Sequence, residues 1–425
     1  MGFNSIVIDR SGEVRPQLFT LVAGLAGFCA YFSMYAFRKP FAAAHYAHES
    51  GWHFAVDYKT ALLIAQVLGY TIAKFIGIKV IAEIGRTGRA ATTIGLIALS
   101  WVALILFALV PAPWNIACLF LNGLSLGMIW GLIFSYMEGR RISDMLGAIL
   151  CASFIVSSGV VKSVAVWLMN QGVTEYWMPA ATGALFFPLL FASMWVLEQL
   201  PAPDAADEAA RTARVPMSGA DRAAFLRDEG LGLVLLIMGY VLLTAMRDFR
   251  DNFAAEIWAG LGYAKDPGVF SQSELPIGIV VLGVLGGLVV IRNNRAALLA
   301  MHGVILFGAV LLAAGTLAFQ SHILSPLAWM IVTGAGLYFG YTPFNAMLFD
   351  RMIAALGRAG NAGFLIYIAD SSGYAGSVAL QLYRSLAAPK MAWISFFMTA
   401  CYATAAVVTA LTLLSAFFFA RKSRV

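Results

Sequence analysis

A chain of 425 residues with 61% hydrophobic and 12% charged side chains is not a soluble globular protein, because soluble domains carry about twice that charged fraction. Its mean hydropathy of +0.81 comes from apolar runs of about 20 residues, the length that crosses a hydrocarbon core of about 30 Å as helix. The net charge of +6 lies mostly in short loops, where membrane topology accounts for it and no nucleic-acid partner is called for.

The chain starts "MGFNSIVIDRSGEVRP", without the basic stretch, apolar core and small-residue cleavage site of a signal peptide. Gly2 would suit myristoylation, an anchor that a multi-span protein does not need. Twelve membrane spans follow, over 17–47, 57–83, 91–110, 115–137, 143–169, 176–197, 230–260, 273–292, 296–318, 326–350, 360–385 and 390–420. The expected fold is all-α, with an N-terminal six-helix half over 1–197, a linker over 198–229 and a C-terminal six-helix half over 230–425. The linker, "EQLPAPDAADEAARTARVPMSGADRAAFLRDE", is the one long polar stretch. Cys29, Cys118, Cys151 and Cys401 all lie in apolar runs without metal-like spacing and read as buried free thiols.

The first span contains "YAFRKPFAAA", where Arg38 and Lys39 interrupt an apolar run that continues to Ala47. Arg38 is about 30 Å along from Leu18 at 1.5 Å per residue, a depth from which a guanidinium can snorkel to the headgroups. The continuing run argues instead that Arg38 faces a central cavity. A charge at that depth costs roughly 3 kcal/mol to insert and calls for a partner or ligand. The loop that follows, "HYAHESGWH", gathers His45, His48 and His53 near Glu49, but without paired spacing it makes no metal site.

Along the chain, one side collects Arg86, Arg89, Arg140, Arg141, Arg292, Arg295, Arg351, Arg358 and the tail "RKSRV", while "PAPWN", "QGVTEYW" and "QSHILSP" on the other side are nearly bare. The positive-inside rule then places both termini and the linker in the cytoplasm.

The seventh span holds four charges in "TAMRDFRDNF": Arg247, Asp248, Arg250 and Asp251. The apolar flanks argue for one interrupted membrane helix. Arg247 and Arg250, at i and i+3, share a face; Arg247 and Asp251, at i and i+4, can pair.

An internal repeat ties this span to the first. "RKPFAAAHYA" (38–47) aligns without gaps on "RDNFAAEIWA" (250–259) at an offset of 212, and "SSGVVKSVAVWL" (157–168) on "SSGYAGSVALQL" (371–382) at 214. Glu138 faces Asp350 at 212, and "VLG" at 67–69 meets "VLG" at 281–283 at 214. Four matches in one order describe a six-helix unit duplicated in the same orientation, which is the major facilitator arrangement with its substrate site between the halves. The repeat equates Arg250 with Arg38. It gives Lys162 no counterpart charge at Gly376, and Asp370 none at Val156.

Four motifs in chain order resemble the organophosphate:phosphate antiporter family of the major facilitator superfamily. They are "YAFRKPFAAA", "GYTIAKF" (69–75), "NGLSLGMIW" (122–130) and "GYAGSVA" (373–379). The resemblance implies twelve helices, transport of phosphorylated metabolites in exchange for phosphate, and a bacterial inner membrane. It places Arg38, Lys74 and Arg247 in the binding site. The chain departs from the pattern at Gly85, where the superfamily has an aspartate, and at Lys162, in a region where the family has a histidine. These departures point to an outlying branch.

The expected substrate-binding set is therefore Arg38, Arg247, Arg250, Lys74, Lys162, Tyr35, Trp130 and Tyr341. Asp248, Asp251 and Asp370 are expected to serve as charge pairs or coupling groups. Tyr31, Tyr70, Tyr240 and Tyr374 lie on the same spans, where a tyrosine can pack and donate a hydrogen bond. Paired arginine forks suit phosphate or carboxylate. The expected function is secondary transport of a small anionic, phosphorylated metabolite by a monomer in membrane lipid, with inorganic phosphate or a proton as coupling ion and no cofactor. A ligand sensor of the same fold and a carrier of a non-anionic solute remain as alternatives. No phosphate loop, nucleophile elbow or zinc motif supports an enzyme.

Overall fold

The structure is a computed structural model and describes residues 16–46, 52–84, 88–137, 143–201, 219–357 and 362–422. Arg86, Arg140, Arg141, Arg358, Glu138, Gly85, His48, Glu49 and most of the linker lie outside the described residues. The chain divides into two compact units, residues 1–211 with 265–271 and residues 212–264 with 272–425.

The first unit contains α1 (Pro16–Tyr35), a 3-10 turn (Pro40–Ala43), α2 (Tyr58–Glu83), α3 (Arg89–Leu109), α4 (Ile116–Leu126), α5 (Ile129–Phe134), α6 (Ser143–Asn170) and α7 (Met178–Glu198). The second contains α8 (Gly219–Asn252), α9 (Ala254–Gly260), most of α10 (Gly268–Val289), α11 (Asn294–Gln320), α12 (Pro326–Ala346), α13 (Leu348–Leu356), α14 (Ala362–Leu386) and α15 (Trp393–Lys422). All twelve expected spans are helical, and the protein is a multi-pass membrane protein. Among the described residues ten helices are long and apolar enough to cross a membrane. The other two spans fall short because α12 is rich in Gly, Tyr and Thr and α14 carries Asp370 and Arg384. α12 is buried from Thr333 through Phe344, so those groups meet protein rather than lipid.

Helix ends follow local chemistry. Asn293 caps α11 by accepting from the Ala296 N–H at 2.9 Å, and Ser325, before Pro326, caps α12 by accepting from Ala328 N–H at 3.2 Å. α8 begins at Gly219, inside the stretch read as linker.

Packing repeats between the units. In the first, α1 lies on α6 and α7, and α3 on α4; in the second, the equivalent spans do the same, α8 on α14 and α15, and α11 on α12. α2 and α4 approach backbone to backbone. A Cβ on Gly123 would sit 2.0 Å from the Gln66 carbonyl oxygen, and one on Gly69 2.1 Å from that of Phe120, so only glycine permits this crossing.

The first and fourth spans of each half are broken. α4 gives way to α5 at Gly127–Met128, α8 to α9 at Phe253, and α12 to α13 at Met347. The first span, read as continuous over 17–47, is helical only to Tyr35. Its last bonds tighten to the i−3 type, from Ala36 to Ser33, Phe37 to Met34 and Arg38 to Tyr35, and Pro40 then has no N–H to continue the ladder.

Candidate functional site

In the first unit the site grows out of that break. Ending a helix inside a membrane strips carbonyls of their partners, and each must be satisfied by protein. Asn122 on α4 donates to the Phe37 carbonyl at 2.9 Å and to Ser100 Oγ at 2.7 Å. Gln66 on α2 donates to the Arg38 carbonyl at 3.0 Å and to Asn122 Oδ1 at 2.7 Å. The Lys59 ammonium donates to the Ala42 carbonyl at 2.8 Å. Asn122 and Ser100 are fully buried, and Lys59 and Gln66 each keep 4% exposure.

The Arg38 backbone is thereby held, and its guanidinium lies over the Tyr70 ring, with Cζ 3.8 Å from the ring centroid and 5.8 Å from that of Tyr35. Lys74 Nζ, one turn along α2, is 5.5 Å from the Tyr70 ring. Tyr31 stands edge-on to Tyr35 at 5.5 Å and hydrogen-bonds Tyr70. Arg38, Lys74, Tyr35, Tyr31 and Tyr70 thus form one cluster on α1, its broken end and α2. Lys162 is buried on α6. Trp130 stacks on Phe134 at 4.8 Å, along α5.

In the second unit Arg247 takes the role that Arg38 plays in the first. Its Cζ lies 3.9 Å from the Tyr341 centroid, and its Nη2 pairs with Asp248 Oδ1 at 2.6 Å. Tyr341 stacks on Tyr240 at 5.2 Å. The Tyr240 hydroxyl is 2.5 Å from Asp370 Oδ1 and accepts from Asn345 Nδ2 at 3.1 Å. Arg247, Asp248, Tyr341 and Asp370 therefore belong to one chain of contacts across α8, α12 and α14. Tyr374, on α14, is buried.

Arg250 is placed differently. Its Nη1 pairs with Glu274 on α10 at 2.6 Å, and its Nη2 donates to the Met330 carbonyl at 2.9 Å. A Cβ on Gly334 would lie 2.7 Å from that Nη2, so the glycine is what leaves room for the guanidinium. Asp251, Tyr338 and Arg250 interact electrostatically in the same pocket of charge.

Sequence reasoning missed Lys59, Gln66, Ser100, Glu274, Gly334 and Asn345, and gave Asn122 no role beyond its place in a motif. Uncharged amides within apolar spans were the available signal, since such groups inside a membrane need partners. Glu274 lies one residue inside the expected start of its span at 273, where a charge is not conspicuous.

The match to known proteins agrees with this architecture. Residues 40–422 match the family described as "Family of unknown function (DUF5690)". Among curated proteins none matches the sequence. Solved structures with the same fold include a D-xylose–proton symporter, at 14% identity and TM-score 0.60 over 94% of this chain and 96% of that one. The nucleoside transporter NupG gives 14% and 0.58 over 95% and 99%. A bacterial homologue of the human drug peptide transporters gives 12% and 0.62 over 95% and 99%. These likenesses show the major facilitator type of fold.

Proposed function

The chain belongs to the DUF5690 family, and from that premise we propose that it is a secondary active transporter of a small anionic, phosphorylated metabolite in a bacterial inner membrane, with both termini cytoplasmic. One observation carries the reading: each unit presents an arginine lying over a tyrosine ring beside a broken membrane span, Arg38 over Tyr70 and Arg247 over Tyr341. A guanidinium held by its face donates hydrogen bonds in its own plane, the geometry of bidentate phosphate and carboxylate recognition. The buried charges of the first unit support an anion. Arg38, Lys39, Lys59 and Lys162 are all basic, and among the described residues this unit buries no carboxylate.

On this reading the anion-contacting groups are Arg38, Lys74 and Lys162 with Tyr35 in the first unit, and Arg247 with Tyr341 in the second. Arg250 is a structural charge, because its guanidinium is already engaged by Glu274 and Met330. Trp130, committed to Phe134, packs. The coupled species is internal phosphate or a proton, by analogy with the organophosphate antiporters that the sequence motifs resemble.

Purified protein in liposomes tests this. Labelled phosphate or hexose phosphate should enter vesicles loaded with phosphate, and Arg38→Ala should remove that uptake. Arg38→Lys should remove most of it, since lysine keeps the charge and loses the fork. Uptake unchanged in Arg38→Ala would overturn the proposal.

A further inference from the structure

The Arg250–Glu274 pair is unusual for its setting. It lies within membrane spans, with side-chain exposures of 4% and 11% and a contact of 2.6 Å. Taking both ions out of water is costly, and a buried pair of this kind is commonly no more stable than apolar residues of the same size. Its surroundings are nonetheless built for it, with Gly334 clearing space and the Met330 carbonyl accepting a second bond. The pair therefore calls for a role beyond stability.

We propose that Glu274 is the proton-binding residue of this protein, and that proton and anion bind together, making transport a proton–anion symport. The inference rests on the transport reading above and deepens it. When Glu274 takes up a proton on its carboxylate, the ion pair becomes a neutral acid beside an arginine that stays charged, and the net buried charge rises by one. In a medium of low dielectric that excess is relieved by an anion nearby. Arg247 is one turn away on the same face of α8, at the i, i+3 spacing that brings side chains within about 5–6 Å. An anion at Arg247 thus favours the protonated form of Glu274, and by linkage the proton favours the anion by the same factor.

The groups around the pair fit this coupling. Asp251 acts on Arg250 from α8 and Tyr338 from α12, Arg247 and the pair both act on Tyr338, and the Cys401 thiol on α15 feels Arg250. Among these, Asp251 would hold the same excess charge in part, so the Glu274 response is expected to be strengthened when Asp251 is replaced by Asn. The repeat sets Glu274, in α10, opposite the beginning of α2, where Thr60 stands 214 residues earlier. The first unit has no equivalent carboxylate there, so proton binding is a specialisation of the second.

The experiment uses full-length protein in liposomes with a lumenal pH dye, the membrane potential clamped, and inorganic phosphate as the probe. An inward phosphate gradient should acidify the lumen in the wild type. In Glu274→Gln, which imitates the protonated acid, acidification should fall at least tenfold, while counterflow of labelled phosphate into phosphate-loaded vesicles persists. Equal acidification in wild type and Glu274→Gln overturns the proposal, as does wild-type counterflow without acidification. Absence of any phosphate counterflow in the wild type defeats the transport reading instead, and infrared titration then decides Glu274 separately. A carboxylic-acid carbonyl band should grow in the purified wild-type protein as pH falls and be missing from Glu274→Gln; a titrating band of the same size in both proteins overturns the assignment. Should Glu274→Gln fail to insert, the double replacement Arg250→Leu/Glu274→Leu removes both charges, and its infrared titration is expected to lack the same band.

Discussion

Arg38 and Arg250 are equivalent by the internal repeat, yet the two units treat them in opposite ways. In the first unit the broken span is held by neutral amides, Asn122 and Gln66, and by Lys59, all acting on backbone carbonyls. Arg38 then stacks on Tyr70. In the second unit Arg250 is neutralised by Glu274, and the stacked arginine is Arg247, one turn earlier, where the repeat has Tyr35. The buried charges differ in the same sense. Those of the first unit are all basic, whereas the second buries Glu229, Asp248 and Glu274 together with Arg250 and Arg384. Both units keep the helix break, while the guanidinium that lies over a tyrosine ring is one turn earlier in the second. A broken helix is a backbone feature and tolerates many side chains; the sign of a buried charge is decided by whatever single residue faces it.

Replacing each arginine by alanine should separate the two roles most strongly. Arg250→Ala leaves Glu274 buried without its arginine, a loss of about 3–5 kcal/mol for a broken buried pair. Thermal unfolding in detergent should show it as a large drop in stability or failure to insert. Arg38→Ala should leave the unfolding temperature nearly unchanged while anion uptake falls by more than about tenfold, as expected for truncating a buried charge that grips a ligand. Similar stability losses in both variants would erase the distinction.

Gly334→Ala should act on the second unit alone. The new methyl meets the Arg250 guanidinium and the Ile277 side chain, at 2.7 and 2.4 Å from the ideal Cβ, and overpacking of this kind costs about 1–3 kcal/mol. Unfolding midpoints should fall accordingly, and combining Gly334→Ala with Arg250→Ala should recover the steric part of that loss in a double-mutant cycle.

Asn122→Ala tests the first unit's amide network. It strips the Phe37 carbonyl and Ser100 of a donor and Gln66 of an acceptor, at about 1–3 kcal/mol for groups left buried without partners. Because the network fixes the Arg38 backbone, KM for anion uptake should rise beyond what expression level explains. An unaltered KM would show that the break holds its shape without these bonds.

The smallest effect is expected from the aromatic supports. Tyr341→Leu removes the cation–π contact of Arg247, and Tyr70→Leu that of Arg38 with the longer one of Lys74, each contact worth about 0.5–2 kcal/mol, so each variant should weaken anion binding several-fold. Tyr70→Phe keeps the ring face and should retain most of the affinity, unless the hydrogen bond with Tyr31 is what orients the ring.

Twelve spans, the duplicated half and the interruption of the seventh span were legible in the sequence, because hydrophobic run length and intramembrane charge are local properties. Arg38, Arg247, Lys74, Tyr35 and Tyr341 could be named for the same reason: a charge or a motif in an apolar run is conspicuous wherever it ends up. Which arginine of the seventh span stacks and which is neutralised could not be read, since Arg247 and Arg250 share a face and differ only in what crosses that face. Glu274 arrives from α10, the Met330 carbonyl from α12, and Gly334 supplies the space; none of these is near Arg250 in the chain. The end of α1 could not be read either, because a helix ladder stops at Pro40 only if distant amides take over the released carbonyls, and Gln66 and Asn122 meet them through a crossing that glycines such as Gly69 and Gly123 permit. Sequence by itself determined which segments enter the membrane and which carry charge there, through the free energy of transfer. Tertiary structure decided which of those charges is neutralised and which is stacked on a ring, because that depends on a partner a few ångströms away and many residues distant.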